Sequence, residues 1–318
     1  MKKKVISIIV FSRDRALQLD ATLSSFFRHC EDAADIPVNI LYKATSEKHN
    51  FQYLQLIREY ADKKNVDFNR EKKFRTDTLT LITHSMDPGV RTLIYLFTLK
   101  FGIRARNITR NLLTPKFHNF IIFVVDDNLF ISDFCIHDAV EQLVKQEKAI
   151  GFSLRLGKNT TYCYMRGRNQ TLPEFIEISP GILEYEWQKC QDDFYHVLEI
   201  SSSIYRIKDI FPAIHFSWFA TPNQLEAQLA QYRDKLSSLP KMLCYENSVT
   251  FCNPVNKVQT EFMNRSGEEL LYSSEKLSDL FALGARIDIA SFDGFSPNSC
   301  HQEVPMKFVN PLTKKPIV

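Results

Sequence analysis

Phe120-Ile121-Ile122-Phe123-Val124-Val125-Asp126-Asp127-Asn128 is the stretch that decides the fold of this 318-residue chain. Six consecutive apolar residues, several of them β-branched, read as a strand covered on both faces, as in a parallel sheet. The run then ends abruptly on two carboxylates and an amide. Ionised groups at the mouth of a core strand cost free energy unless they are paired or metal-bound. In open α/β sheets, ligands sit beyond the carboxyl ends of the strands. Two acids there suit a hard divalent cation whose shell is completed by a ligand's phosphates. Asp-Asp-Asn is also ordinary turn chemistry and a good helix lead-in, so the motif alone supports both readings.

Upstream, residues 5–11 (Val-Ile-Ser-Ile-Ile-Val-Phe) form a second short buried strand. Leu19, Leu23, Phe26 and Phe27 follow at helical spacing, with Ser12 or Asp14 as candidate N-caps. Residues 38–42 read as another strand, which predicts a parallel pair joined by a crossover helix. Residues 47–85 read as one or two short polar helices. Downstream, a helix is expected from Ile136 to Lys145, a strand over 150–156, and irregular aromatic loops over 157–195. Strand-like alternation returns over 197–206. Thr221, Pro222 and Gln224 make a capping-box start for a helix striped by Leu225, Leu229, Tyr232 and Leu236. A last helix is expected over 270–283, followed by a tail over 284–318. Early alternation of strand and helix gives an α/β class.

Composition narrows the function. Forty Lys and Arg against 37 Asp and Glu leave a net charge of only +3, too even for a general nucleic-acid binder. Hydrophobic residues at 44% and charged residues at 24% exclude a disordered or fibrous chain. Glycine is scarce, with nine residues. No G-x-G-x-x-G occurs, and Gly151 to Gly157-Lys158-Asn159 has the wrong spacing for a P-loop. Seven cysteines without a C-x-x-C argue for a reducing, cytoplasmic setting. Lys2-Lys3-Lys4 precedes an apolar run too short for a signal peptide, with no small-residue cleavage site. No run reaches the roughly 18 apolar residues of a membrane span. Lys100, Arg104, Arg106, Arg110 and Lys116 occur with no acid between them. They form either a solvated helix face or a surface for peripheral contact with anionic headgroups at the inner face of a membrane.

The first strand with its following residues Ser12-Arg13-Asp14-Arg15, and Val125-Asp126-Asp127-Asn128 further on, together resemble the nucleotide-sugar glycosyltransferases of the GT-A fold. The first segment resembles that fold's nucleotide-contacting strand and loop. The second resembles its DxD motif in an x-Asp-Asp variant, departing from strict Asp-x-Asp at Val125. The resemblance implies a Rossmann-like, mostly parallel central sheet flanked by helices. It also implies a donor-binding half over 1–130 and an acceptor-binding half over 131–318, in one continuous domain. Carried over, Asp127 would bind Mn²⁺ or Mg²⁺, and Asp126 would contact the donor ribose or the metal. Phe11, Ser12 and Arg13 would border the nucleotide, and Thr45 and Ser46 would face the base.

The implied reaction moves a sugar from a UDP, GDP or dTDP donor to a hydroxyl on a glycan or lipid-linked acceptor, as in surface polysaccharide synthesis. An inverting transfer needs a carboxylate base. Glu226 is the candidate, with Asp192-Asp193 as runner-up. Glu226 lies about 100° round the helix from Leu225, neither fully buried nor fully exposed. His301 is a candidate metal or diphosphate ligand. Arg155, set in an apolar segment, needs a buried partner, either a diphosphate or a carboxylate. Two other functions remain open at this level: a nucleotidyltransferase, disfavoured by the absent glycine-rich loop, and a non-catalytic nucleotide-binding module of a polysaccharide assembly complex.

Overall fold

The computed structural model describes residues 5–84, 119–256, 265, 267, 272–313 and 315–317. The basic stretch 100–116 lies outside the described residues. In chain order the elements that position the site begin with β1 (Val5–Arg13), α1 (Ala16–His29), β2 (Val38–Lys43), α2 (Glu47–Glu59), β3 (Val66–Arg70) and α3 (Phe74–His84). Then come β4 (Asn119–Val125), β5 (Asn128–Phe130), α4 (Ile136–Lys145), β6 (Ala149–Ser153), β7 (Tyr162–Cys163), β8 (Arg168–Asn169), β9 (Ile176–Ser179) and β10 (Ile182–Glu186). The chain continues through α5 (Asp192–Tyr195), β11 (Ser203–Arg206), α6 (Ile207–Phe216), α7 (Pro222–Tyr232), β12 (Lys241–Tyr245), β13 (Thr250–Cys252), α8 (Ser274–Ala282), β14 (Arg286–Ile287) and β15 (Phe308–Val309).

Among the described residues, nine strands form one sheet in the order β3-β2-β1-β4-β11-β6-β12-β10-β9. The pairs β3/β2, β2/β1, β1/β4 and β6/β12 are parallel. β11 and β10 run against their neighbours. The continuous apolar runs are explained by burial on both faces. From β1 and β4, Ile6, Ile8, Val10, Phe120, Ile122 and Val124 enter one core, beside α1, α2, α4 and α8. Ile9, Phe11, Ile121 and Phe123 enter the other, beside α3, α6 and α7. Fully burying each large apolar side chain contributes roughly 1.5–3 kcal/mol.

Several expectations are corrected. Residues 47–85 hold a strand, β3, between their two helices, and the 157–195 segment supplies the sheet strands β9 and β10. Neither Ser12 nor Asp14 caps α1. Arg15 occupies that position without a side-chain cap, because Ser12 is still in β1 and bonds Tyr53 while Asp14 turns to Thr45. The 150–156 strand stops at Ser153, which leaves Arg155 just past it. The 197–206 strand is only β11, and Ser202 before it has φ of 111°, a strained conformation for a residue with a side chain. The capping start of α7 holds: Thr221 Oγ1 accepts from Gln224 N at 3.3 Å. Gln224 Oε1 in turn accepts from Ala220 N at 2.8 Å.

The close approach of β6 and β11 requires a glycine. A Cβ on Gly151 would stand 2.9 Å from the Ile204 carbonyl oxygen and 3.0 Å from the Tyr205 ring. Gly151→Ala is expected to cost about 1–3 kcal/mol through overpacking. A urea midpoint lowered at unchanged slope would show it, and an unchanged midpoint would contradict this packing.

Candidate active site

Parallel register sets the ends of β1 and β4 level, with Phe11 opposite Val125. Ser12 to Arg15 on one strand therefore meet Asp126 and Asp127 on the other. β2 and β3 lie on one side of β1 and β4 on the other, so the β1/β4 crevice is a topological switch point of the sheet. A cavity of about 750 Å³ opens there. That size suits a ligand of nucleotide dimensions, since small-molecule sites run roughly 300–1,000 Å³.

At the sheet edge of the cavity, Arg15 Nη1 donates to Asp126 Oδ1 at 3.0 Å and to Asp127 Oδ2 at 3.2 Å. Its Nη2 donates to the Asn256 carbonyl at 2.5 Å. Arg13 N donates to Asp126 Oδ2 at 3.1 Å. The two acids occupy the turn between β4 and β5, which buried Asn128 closes by accepting from Val125 N at 3.1 Å. Burial works against the Arg15 charge, but Asp126 and Asp127 outweigh it and raise its pKa. Burial pushes the Asp127 carboxyl up to about 6, with Arg15 pulling the other way and Asp126 adding to the rise.

Two carboxylates face one guanidinium, so one negative charge is left over. Hard oxygens with a surplus charge at a cavity wall fit Mn²⁺ or Mg²⁺, ions often held by one or two carboxylates plus ligand phosphates. Among the described residues, no group of three or more His, Cys, Asp or Glu forms that could hold a metal. A cation would therefore rest on this pair and on its ligand's phosphates.

Also lining the cavity, Glu226 on α7 and His196 after α5 meet at 2.8 Å, Oε1 to Nε2. Burial alone would raise the Glu226 carboxyl, but the His196 hydrogen bond and charge, with Arg155 and His301, hold it below the ordinary value. Arg155 and Glu199 are both buried, with Nε and Oε2 3.7 Å apart. Burial opposes the Arg155 charge, and Glu199, with Asp193 and Glu226, outweighs it to raise its pKa. Burial, with Arg155 beside it, lowers the His301 pKa to about 3, so its ring is neutral.

Of the residues expected from sequence, Phe11, Ser12, Arg13, Asp126, Asp127, Glu226 and His301 all line the cavity. Phe11 stacks on Phe123 at 5.9 Å, and Ser12 Oγ is 2.6 Å from Tyr53 OH. Thr45 and Ser46 are not among the lining residues. Thr45 N and Oγ1 donate to Asp14 at 2.8 and 2.7 Å, and Ser46 caps α2. Lys43 and Leu41 from β2 reach the cavity instead. His301 lies beside Arg155, Glu226 and His196, the charged groups that act on it. Asp192 pairs with Arg168 at 2.9 Å, and Asp193 is buried beside Cys163, where burial raises its carboxyl. Arg155 has its carboxylate partner in Glu199.

Arg15, Glu199 and His196 were not anticipated as site residues. Arg15 had a signal in the charged triplet Arg13-Asp14-Arg15 that ends an apolar strand. His196 had none, because its partner lies 30 residues away on another element.

Comparison with known proteins finds similarity to glycosyltransferases. The chain is 25% identical to the bifunctional glycosyltransferase pgtA of Dictyostelium discoideum, over 87% of this chain and 36% of that protein. It thus spans little more than a third of that relative's length. A solved structure of S. aureus TarS 1–349 with UDP-GlcNAc shares 13% identity at a TM-score of 0.42, covering 90% of this chain and 66% of that one. The mannosyltransferase PcManGT of Pyrobaculum calidifontis, solved with GDP-Man and Mn²⁺, shares 9% identity at a TM-score of 0.38, over 76% and 56%. No protein-family model matches the chain.

Removing the guanidinium leaves buried Asp126 and half-buried Asp127 without their shared cation. Arg15→Met is expected to destabilise the fold by about 3–5 kcal/mol, as for other broken buried pairs. Adding Asp126→Asn and Asp127→Asn should restore most of that loss. Chemical denaturation measures both, and a neutral Arg15→Met would show that the bridge contributes little.

Proposed function

We propose that this chain is a metal-dependent, inverting glycosyltransferase that takes its sugar from a nucleoside diphosphate donor. The observation that carries the reading is the Asp126-Asp127 pair at the switch-point crevice, opening on a cavity of about 750 Å³ that a base candidate also lines. Similarity to pgtA over most of the chain supports the same class. The nucleoside lies over Phe11, Leu41 and Phe74, with Ser12 and Arg13 at its edge. Asp127, with Asp126 behind it, would hold Mn²⁺ or Mg²⁺, which when bound supplies positive charge against the departing diphosphate.

Glu226 and its partner His196 receive the proton of the acceptor hydroxyl on the opposite side. The donor half is thus the first 130 residues, and the acceptor half is the remainder. The acceptor is a hydroxyl of a glycan or a lipid-linked sugar, in polysaccharide or glycan synthesis. All seven cysteines are free, which suits a reducing compartment. No helix among the described residues is long and apolar enough to cross a membrane.

Melting curves with UDP, GDP, dTDP and their sugars, with and without Mn²⁺, test this reading. A ligand that binds only the native state stabilises it by mass action, about 2.7 kcal/mol at a hundredfold excess over Kd. One diphosphate should raise Tm, more so with Mn²⁺, and the metal-dependent part should vanish in Asp127→Ala. A folded protein that responds to none of them contradicts the proposal.

A further inference from the structure

The second charged cluster of the cavity does more than supply a carboxylate. His196 Nε2 lies 2.8 Å from Glu226 Oε1. With that carboxylate ionised, Nε2 carries the ring proton and Nδ1 presents its lone pair. Among the described residues, Nδ1 has no hydrogen-bond partner, and the side chain is 38% exposed where it lines the cavity. The main chain of His196 is held from both sides. His196 N donates to the Asp192 and Asp193 carbonyls at 3.2 and 3.1 Å, and its own carbonyl accepts from Arg155 Nη2 at 3.4 Å.

We propose that His196 Nδ1 is the base atom of this site and that Glu226 is a positioning residue acting through it. The assignment rests on the glycosyltransferase reading and names the atom that takes the proton. The groups facing His196 are Glu226 from α7, Arg155 from beyond β6, His301 from the C-terminal segment and Asp193 from α5. Among the described residues, only Glu226 makes a side-chain hydrogen bond to the ring. Asp193 is engaged by Cys163 Sγ at 3.6 Å and Gln170 Nε2 at 3.4 Å. A carboxylate held below its ordinary pKa is a poor proton acceptor, and the imidazole it supports is a better one. The hydrogen bond from His196 and the Arg155 charge hold Glu226 in that state.

In the transfer step, the acceptor oxygen bonds to the anomeric carbon of the donor sugar. The bond from that carbon to the diphosphate oxygen breaks, and its electron pair leaves with the nucleoside diphosphate. The hydroxyl proton passes to Nδ1, and the resulting imidazolium is balanced by Glu226. The proton then returns to solvent. The arrangement matches the logic of a carboxylate that orients a histidine and stabilises its charged form.

The test is release of nucleoside diphosphate from UDP-, GDP- and dTDP-sugars, with water as acceptor, followed across pH. His196→Ala should lower kcat by about 10²–10⁴-fold with donor KM unchanged, as for loss of a general base. Glu226→Gln should keep more activity than His196→Ala. It should also move the acid limb of the profile to lower pH, because the imidazolium loses its counter-charge. Melting curves with the bound diphosphate confirm that each variant folds and binds donor. Turnover in His196→Ala within about threefold of wild type, with Glu226→Gln inactive, would make Glu226 itself the base and overturn the assignment. Equal losses in both variants with an unmoved acid limb would also overturn it. A wild type that releases no diphosphate from any donor would overturn the transfer reading itself.

Discussion

One guanidinium holds together the loops beyond β1 and β4. Arg15 Nη1 touches both Asp126 and Asp127, and its Nη2 reaches the Asn256 carbonyl. It thereby ties the loop after β1 to the turn after β4 and to the segment after β13. Two carboxylates side by side at the mouth of a buried sheet repel each other and resist desolvation. A single buried cation makes the arrangement tolerable without neutralising it. The charge left over is what the proposed cation would balance.

The sheet around this bridge explains why the site is here. Strands covered by helices on both faces have only their ends free, and a change in the direction of winding leaves a crevice between two of those ends. β5 and β13 then form a ribbon beyond the crevice. Cys252 of that ribbon pairs with the C-terminal segment, donating to the Cys300 carbonyl at 2.9 Å. That pairing carries His301 to the cavity, although it lies far along the chain from the loop after β1.

The sequence displayed most clearly what local physics enforces. β1, β2 and β4 were legible because strands buried on both faces must be continuously apolar. α4 was legible from its stripe and α7 from Thr221, Pro222 and Gln224. β3 escaped because it is an edge strand with polar residues on its open side, which leaves no apolar run. β9 and β10 were hidden in a segment whose aromatics pack against the second core rather than following a simple period. The carboxylate pair was legible because it broke a pattern, and so was Glu226 from its place on α7. Arg15, His196 and Glu199 owe their roles to partners on distant elements. Thr45 and Ser46 stand just past β2 as expected, but Asp14 and the start of α2 use their hydrogen-bonding groups.

The most direct measurement is a structure of the full chain with a nucleoside diphosphate and Mn²⁺ bound. The account predicts the diphosphate beyond the carboxyl ends of β1 and β4, with Asp127 at the ion, Arg13 alongside, and His196 across the cavity facing the sugar position. A nucleotide bound at the opposite end of the sheet, or an ion held by residues away from Asp126 and Asp127, would contradict it.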